Sequence, residues 1–287
     1  MQNRNIIYDE VAGLLIIYMI AYHIMQWAGM QESEGMHIMA FMNFFMPWFF
    51  YKGGMFFKEK SSMAMLTGSF RRLMIPFFIW SIIGAIVFGF FSCYYFHTHT
   101  MLEYLKMNIY QLLTEGCVPG NAPLWFLVAL FFVKIIFNKC AAEKIPIIYP
   151  SIIGIAISMA LHFYELSLPH YVNYISSGLF FFGMGILLNE ISNRYMFKVV
   201  CILVYICLSI ISRPIVDIHL NTLLEGYYLL WPIWSIAGIV TINTLFEYIH
   251  KKTGVTAIPT LAFIGRKSMT FYVVHWPIIM TLFYLFR

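Results

Sequence analysis

The sequence predicts an all-α integral membrane protein: a polytopic bundle of about nine or ten transmembrane helices, one domain over 1–287, with a cytoplasmic N-terminus. Composition is the first observation behind this. Of 287 residues, 61% are hydrophobic and 11% charged, at a mean hydropathy of +0.77, whereas a soluble domain carries about a quarter charged residues. The second is a series of apolar runs near 11–30, 36–57, 73–96, 122–138, 146–164, 171–190, 197–212, 226–248 and 268–286. A spanning helix needs roughly 20 such residues, so the runs leave no room for a separate soluble catalytic domain. The third is charge layout. With a cytoplasmic N-terminus, 14 of the 18 Lys and Arg fall on the inner side, from Arg4 to Lys267, while Lys106, Arg213 and Arg287 fall outside. That is the positive-inside pattern, so the net charge of +5 reports topology and not nucleic-acid binding.

The first run, beginning near Val11, is too long for a cleavable signal peptide. The second and third are aromatic-rich, and Arg71-Arg72 with Pro76 marks the start of the third. Between the third and fourth, HTHTMLEYLKMNIYQLLTEG at 97–116 has apolar positions at helical spacing and reads as a surface-lying helix. The linker 249–267 contains IPTLAFIG, which leaves a short tenth span or a re-entrant piece open. Cys93, Cys117, Cys140, Cys201 and Cys207 form no metal-ligand spacing and read as buried thiols, a Cys93–Cys117 pair being the less favoured alternative. His97 and His99 have no convincing further ligands, so no metal site is expected. No acid lies in the middle of a run and no inverted repeat is evident, which argues against a proton relay or a coupled transporter.

With charge nearly excluded, the polar groups inside runs carry the information, because isolating an ionisable group in a bilayer costs several kcal/mol. His23 lies about 12 residues into the first run, Lys52 about six from the inner end of the second, and His275 eight beyond Lys267 in the last. At about 1.5 Å per residue, three nitrogen bases come to broadly similar depth in the inner half of the membrane. A buried His often only satisfies a carbonyl, and a Lys near a helix end can snorkel to the surface. Positions 12 and 23 share one face of the first helix about 16 Å apart, and Asp9 lies close to that stripe. A basic residue at 12 would place charge at the cytoplasmic mouth below a mid-membrane imidazole, but the residue there is Ala12.

These residues resemble the membrane-bound acyltransferase family 3, the bacterial integral-membrane O-acyltransferases of surface polysaccharides. YDEVAGLLIIYMIAYH at 8–23 is similar to the family's opening, an Asp, then Arg or Lys followed by Gly, and a His eleven positions after the basic residue. NFFMPWFFYKGGMFF at 43–57, RRLMIPFFIW at 71–80, APLWFLVALF at 122–131 and IGRKSMTFYVVHWPI at 264–278 resemble its later motifs in order. The departure is Ala12, which stands where the family has its basic residue. Either the chain is a divergent or inactive member, or a functional Lys or Arg was replaced by design; the second is favoured because everything around position 12 fits.

The resemblance implies transfer of an acyl group, most often acetyl, from cytoplasmic acyl-CoA to a hydroxyl of a glycan or lipid-linked saccharide, at the bacterial cytoplasmic (inner) membrane. His23 is the candidate general base or acyl carrier, since imidazole is poised near neutral pH, and His275 a second catalytic candidate. Asp9, Ala12, Lys52, Arg71 and Arg72 are the candidates for the acyl-CoA site, with the arginines as phosphate partners. Trp125 and Tyr272 are the candidates for holding the acceptor. Membrane lipid is an expected partner, nucleic acid is not, and a homo-oligomer stays open. A small-solute or saccharide-lipid transporter and an inactive membrane partner are the alternatives, separable from an enzyme by acyl-CoA binding and release of free CoA.

Overall fold

The computed structural model describes residues 6–30, 33–164, 170–212, 230–253 and 258–286, and these are helical except for turns and one isolated bridge between Val118 and Asn121. Arg4, Arg213, His219 and Arg287 lie outside the described residues. Among those described, five helices are long and apolar enough to cross a membrane: Ile6–Trp27, Ser62–Tyr95, Ala122–Ala142, Leu230–Thr253 and Ser268–Leu285. Shorter apolar helices cover Ile148–Leu161, Tyr171–Leu187 and Tyr195–Ile211, on the expected runs. The chain is a multi-pass membrane protein.

Helix α1, Ile6–Trp27, starts before the apolar run and takes Asp9 and Glu10 into the packed interior. It ends where Gly29, at φ +71°, lets the Gly29 and Met30 amides return to the carbonyls of Gln26 and Met25, a Schellman closure. The second apolar run is broken: α2, Glu34–Met39, is followed by a short 3₁₀ turn and then α3, Phe45–Met55. Pro47, in the first turn of α3, cannot continue a helix arriving from α2. The eleven residues of α3 instead sit inside the bundle, with Trp48, Phe50 and Tyr51 almost wholly buried. Trp48 donates to Asn243 Oδ1 at 2.9 Å, across the bundle.

The third run is longer than its apolar part predicts. Helix α4, Ser62–Ser69, and α5, Ile75–Gly89, belong to one 34-residue helix running on to Tyr95. It continues through Pro76 because the backbone widens to π geometry over Phe70–Met74, where Ile75 N–H donates five residues back to Phe70 O. Pro lacks the amide that a regular turn would use there. The surface-lying helix is α6, Met101–Thr114, with a reciprocal Thr100–Glu103 capping box and mostly exposed side chains. The Thr100 amide and hydroxyl hold the Glu103 carboxyl below its usual range.

After it come α7, Trp125–Ala142; α8, Ile148–Phe163; α9, His170–Leu187; α10, Tyr195–Ser212; and α11, Leu230–Thr253. Lys198 on α10 pairs with Glu247 on α11. The cysteines are free: Cys117 and Cys201 are buried and Cys207 is exposed, so neither the disulfide nor uniform burial holds. Burial pushes the Cys117 thiol up to about 12.

The linker before the last span contains α12, Pro259–Arg266, and the last span is α13, Ser268–Leu285. At eight residues α12 rises only about 12 Å and does not span; it lies along the first half of α1. A Cβ on Gly13 would meet Leu261 O at 2.0 Å, and one on Gly265 would meet Asp9 O at 1.7 Å. Small residues let two backbones approach in this way. Gly265→Ala is therefore expected to part α1 from α12 and lower stability by about 1–3 kcal/mol. Thermal unfolding in detergent checks this, and an unchanged midpoint would contradict the contact.

Candidate active site

Two groups of polar residues stand out, at opposite ends of α1. The first is built where α1 and α13 pass each other. His23 and His275 stack with centroids 5.3 Å apart and planes 24° apart. His275 is 5% exposed, and its Nδ1 lies 2.6 Å from Tyr272 O. A carbonyl only accepts, so Nδ1 carries the proton and Nε2 presents a lone pair. That Nε2 is buried without a hydrogen-bond partner among the described residues. His23 is half-buried and its Nδ1 lies 2.9 Å from Gln26 Oε1, an acceptor one helical turn on. Trp276 meets the His23 ring edge to face at 4.9 Å.

What holds α13 at this height is the segment 121–125. Asn121 donates through Nδ2 to Val273 O at 3.0 Å, and the Tyr272 hydroxyl donates to Pro123 O. Tyr272 and Trp125 are 4% and 5% exposed. The Trp125 ring lies 4.4 Å from Tyr174, and Tyr272 packs edge-on to Phe126. The two sequence candidates for the acceptor thus lie inside the packed wall behind the imidazoles. Their arrangement positions His275, because the peptide that fixes its tautomer belongs to Tyr272.

The second group gathers at the end of the bundle where α1 begins. A cavity of about 540 Å³ is lined by Lys52, Lys58, Lys60, Arg72 and Lys134, with Ser69 and Ser268 adding hydroxyls. Among the described residues, no carboxylate lines it. Lys52 reaches from α3 onto α1: its Nζ donates to Tyr8 O at 3.0 Å, lies 3.9 Å from Asp9 Oδ1 and sits 5.0 Å over the Trp48 ring. Asp9 is 3% exposed and serves to hold Lys52. Arg72 lines the cavity, whereas Arg71, its exposed neighbour in the π segment, does not.

The structure corrects one spacing argument. His23 and His275 do share a depth, but Lys52 does not share it. It meets α1 at residues 8 and 9, and His23 is 14 residues beyond Asp9, about 21 Å along the helix at 1.5 Å per residue. The miscount comes from starting α1 at Val11 and not at Ile6. Ala12 is completely buried. Lys58, Lys60 and Lys134 were legible only as topology charges. Gln26, at i+3 from His23, could have been found by helical spacing; Asn121, 152 residues from its partner, could not.

The structure thus combines a membrane-spanning bundle, a stacked imidazole pair at one level and a basic cavity at another. The chain matches the acyltransferase 3 family, described as an acyltransferase domain, over residues 11–287, and it belongs to that family. It is a membrane-bound acyltransferase. No curated protein and no solved structure matches it.

Proposed function

We propose that the enzyme moves an acyl group, most simply acetyl, from acyl-CoA held in the basic cavity to a saccharide hydroxyl presented at the His23–His275 pair. The observation that carries this reading is the cavity itself: among the described residues it is lined by five cations and no carboxylate, a lining suited to the phosphates of CoA through charge-assisted hydrogen bonds. The positive-inside rule puts this end at the cytoplasm, where acyl-CoA is made. The donor's extended arm would run beside α1 toward the imidazoles.

In the transfer, the saccharide O–H gives its proton to an imidazole Nε2 while its oxygen attacks the thioester carbonyl carbon. The C–S bond then breaks and the thiolate takes the proton back, leaving an ester and free CoA thiol. His23, the more accessible ring, is the base in this reading. His275, stacked on it with its tautomer fixed, shares the proton. A covalent acyl-imidazole at His23 is the alternative route to the same products.

Lys52 also accounts for Ala12. In an α-helix the carbonyl of residue 8 is the partner of the amide of residue 12, so an ammonium 3.0 Å from Tyr8 O stands beside position 12. The charge absent from α1 is supplied from α3. On this reading the chain is active as written.

Equilibrium binding of radiolabelled acetyl-CoA to the detergent-purified protein tests the donor site. Arg72→Gln and Lys134→Gln are each expected to weaken binding by about 10-fold or more, the worth of one hydrogen bond to a charged group. Affinity unchanged in both variants would remove the cavity from the mechanism.

A further inference from the structure

At the far end of α1 and α13 an open cavity of about 560 Å³ is lined by Trp27, Ala28, Gly29, Phe283 and Tyr284, among others. Trp27 stands edge-on to Tyr284 at 5.7 Å, and Tyr284 is backed by Phe91 at 5.0 Å and Phe96 at 5.4 Å. These rings form a supported aromatic wall. Trp27 also contacts Trp276 at 5.8 Å, and Trp276 contacts His23 at 4.9 Å. Trp27 is four residues, about 6 Å of helix rise, beyond His23. The cavity therefore lies beyond the imidazole pair, on the side away from the basic cavity, with Trp27 between them; His23, His275 and Trp276 do not line it.

Two buried nitrogens near this level have no hydrogen-bond partner among the described residues: Trp276 Nε1 and His275 Nε2. The first can only donate and, with its proton on Nδ1, the second can only accept. Buried polar atoms of this kind call for a partner. A hydroxyl, which accepts with its oxygen and donates its hydrogen, is the smallest group that answers both. An aliphatic chain answers neither. A sugar ring carries hydroxyls around its edge and C–H groups on its face, the surface that an aromatic wall receives.

We propose that this cavity is the acceptor subsite. It takes a pyranose ring against Trp27 and Tyr284 and turns one hydroxyl past Trp27 toward the Trp276 and His275 side chains behind it. The assignment rests on the acyl-transfer reading above and moves the acceptor from Trp125 and Tyr272 to the outer ends of α1 and α13. It makes Trp27, Trp276 and Tyr284 the residues that decide which hydroxyl is acylated.

Saturation-transfer NMR on the protein in phosphatidylcholine nanodiscs tests it. The probes are the methyl glycosides of glucose, galactose, mannose, rhamnose and N-acetylglucosamine, together with octyl β-glucoside. Ring protons of at least one methyl glycoside are expected to saturate, and Trp27→Ala and Tyr284→Ala are each expected to reduce that signal at least about fivefold. Trp27→Phe, which keeps a ring face, is expected to retain most of it. Acetyl-CoA binding, measured on the same samples, is expected to be unchanged and reports that the variants are folded.

Saturation of only the octyl methylenes would identify a lipid-tail groove and overturn the proposal. So would no saturation by any glycoside, or a signal indifferent to both alanine variants. Glycoside binding without acetyl-CoA binding would instead defeat the donor assignment and leave the sugar site standing.

Discussion

His23→Ala and His275→Ala are each expected to lower free-CoA release from acetyl-CoA, in the presence of a saccharide acceptor, by about two to four orders of magnitude. That is the usual worth of a positioned acid–base group. Neither change should touch donor binding, since the basic cavity lies about 21 Å away along α1. The stack predicts more. Rings 5.3 Å apart handling one proton act as a unit, so the double variant should be no slower than the slower single one. Multiplicative losses would show two independent roles and dissolve the pair. Gln26→Ala frees Nδ1 of His23 from its fixed acceptor and should cost about 10-fold or more in turnover while leaving the donor KM in place.

Lys52→Met carries the second large effect. It removes the cation nearest α1 from the donor cavity and leaves Asp9, only 3% exposed, without that ammonium. Donor binding should weaken by about 10-fold or more. Stability should fall by about 1–3 kcal/mol, below the loss usual for a fully buried pair, because the Lys52 side chain is 25% exposed. The two consequences separate. Adding Asp9→Asn to Lys52→Met should recover stability but not affinity. Adding Ala12→Lys should recover part of the affinity, because it returns charge to the same turn of α1. Ala12→Lys alone should give no gain, with a second cation forced into a filled position beside the first. A chain that binds acetyl-CoA only after Ala12→Lys or Ala12→Arg would show Ala12 to be a disabling change and defeat the Lys52 assignment.

Most of the helical order was legible because apolar composition reports directly on what lies in lipid. What it could not report was where backbone geometry departs from a plain span. Pro47 marks a break inside an unbroken apolar run, while Pro76 marks none, and hydropathy treats both alike. Starting the first helix at Val11 left Asp9 and Glu10 outside it, yet both lie within it and are buried, where Glu10 Oε1 accepts from the Ile258 amide at 3.1 Å. That reading displaced His23 and Lys52 relative to each other. Within the site, His23 and His275 were visible as costly polar groups in apolar runs. Trp125 and Tyr272 were visible too, but aromatic residues at a helix start look alike whether they face a ligand or hold a wall. Lys58, Lys60 and Lys134 both fit the topology pattern and line the basic cavity, and only their convergence in space separates the second from the first.

The helix from Ser62 to Tyr95 has 34 residues, about 51 Å at 1.5 Å each, while a bilayer's hydrocarbon is about 30 Å thick. Tilting absorbs part of the excess, and the rest must protrude. The start of the helix precedes the apolar run at 73–96 and carries Met65, Gly68, Ser69 and Arg72, one wall of the basic cavity, which favours this end as the one that protrudes and a cavity at headgroup level. On the proposed donor assignment, phosphates of the membrane's own anionic lipids are expected to compete with the donor for the same cations. In reconstituted vesicles, raising the anionic lipid fraction should increase the donor KM while leaving kcat unchanged. On that assignment the composition of the surrounding leaflet would set how much donor the enzyme needs.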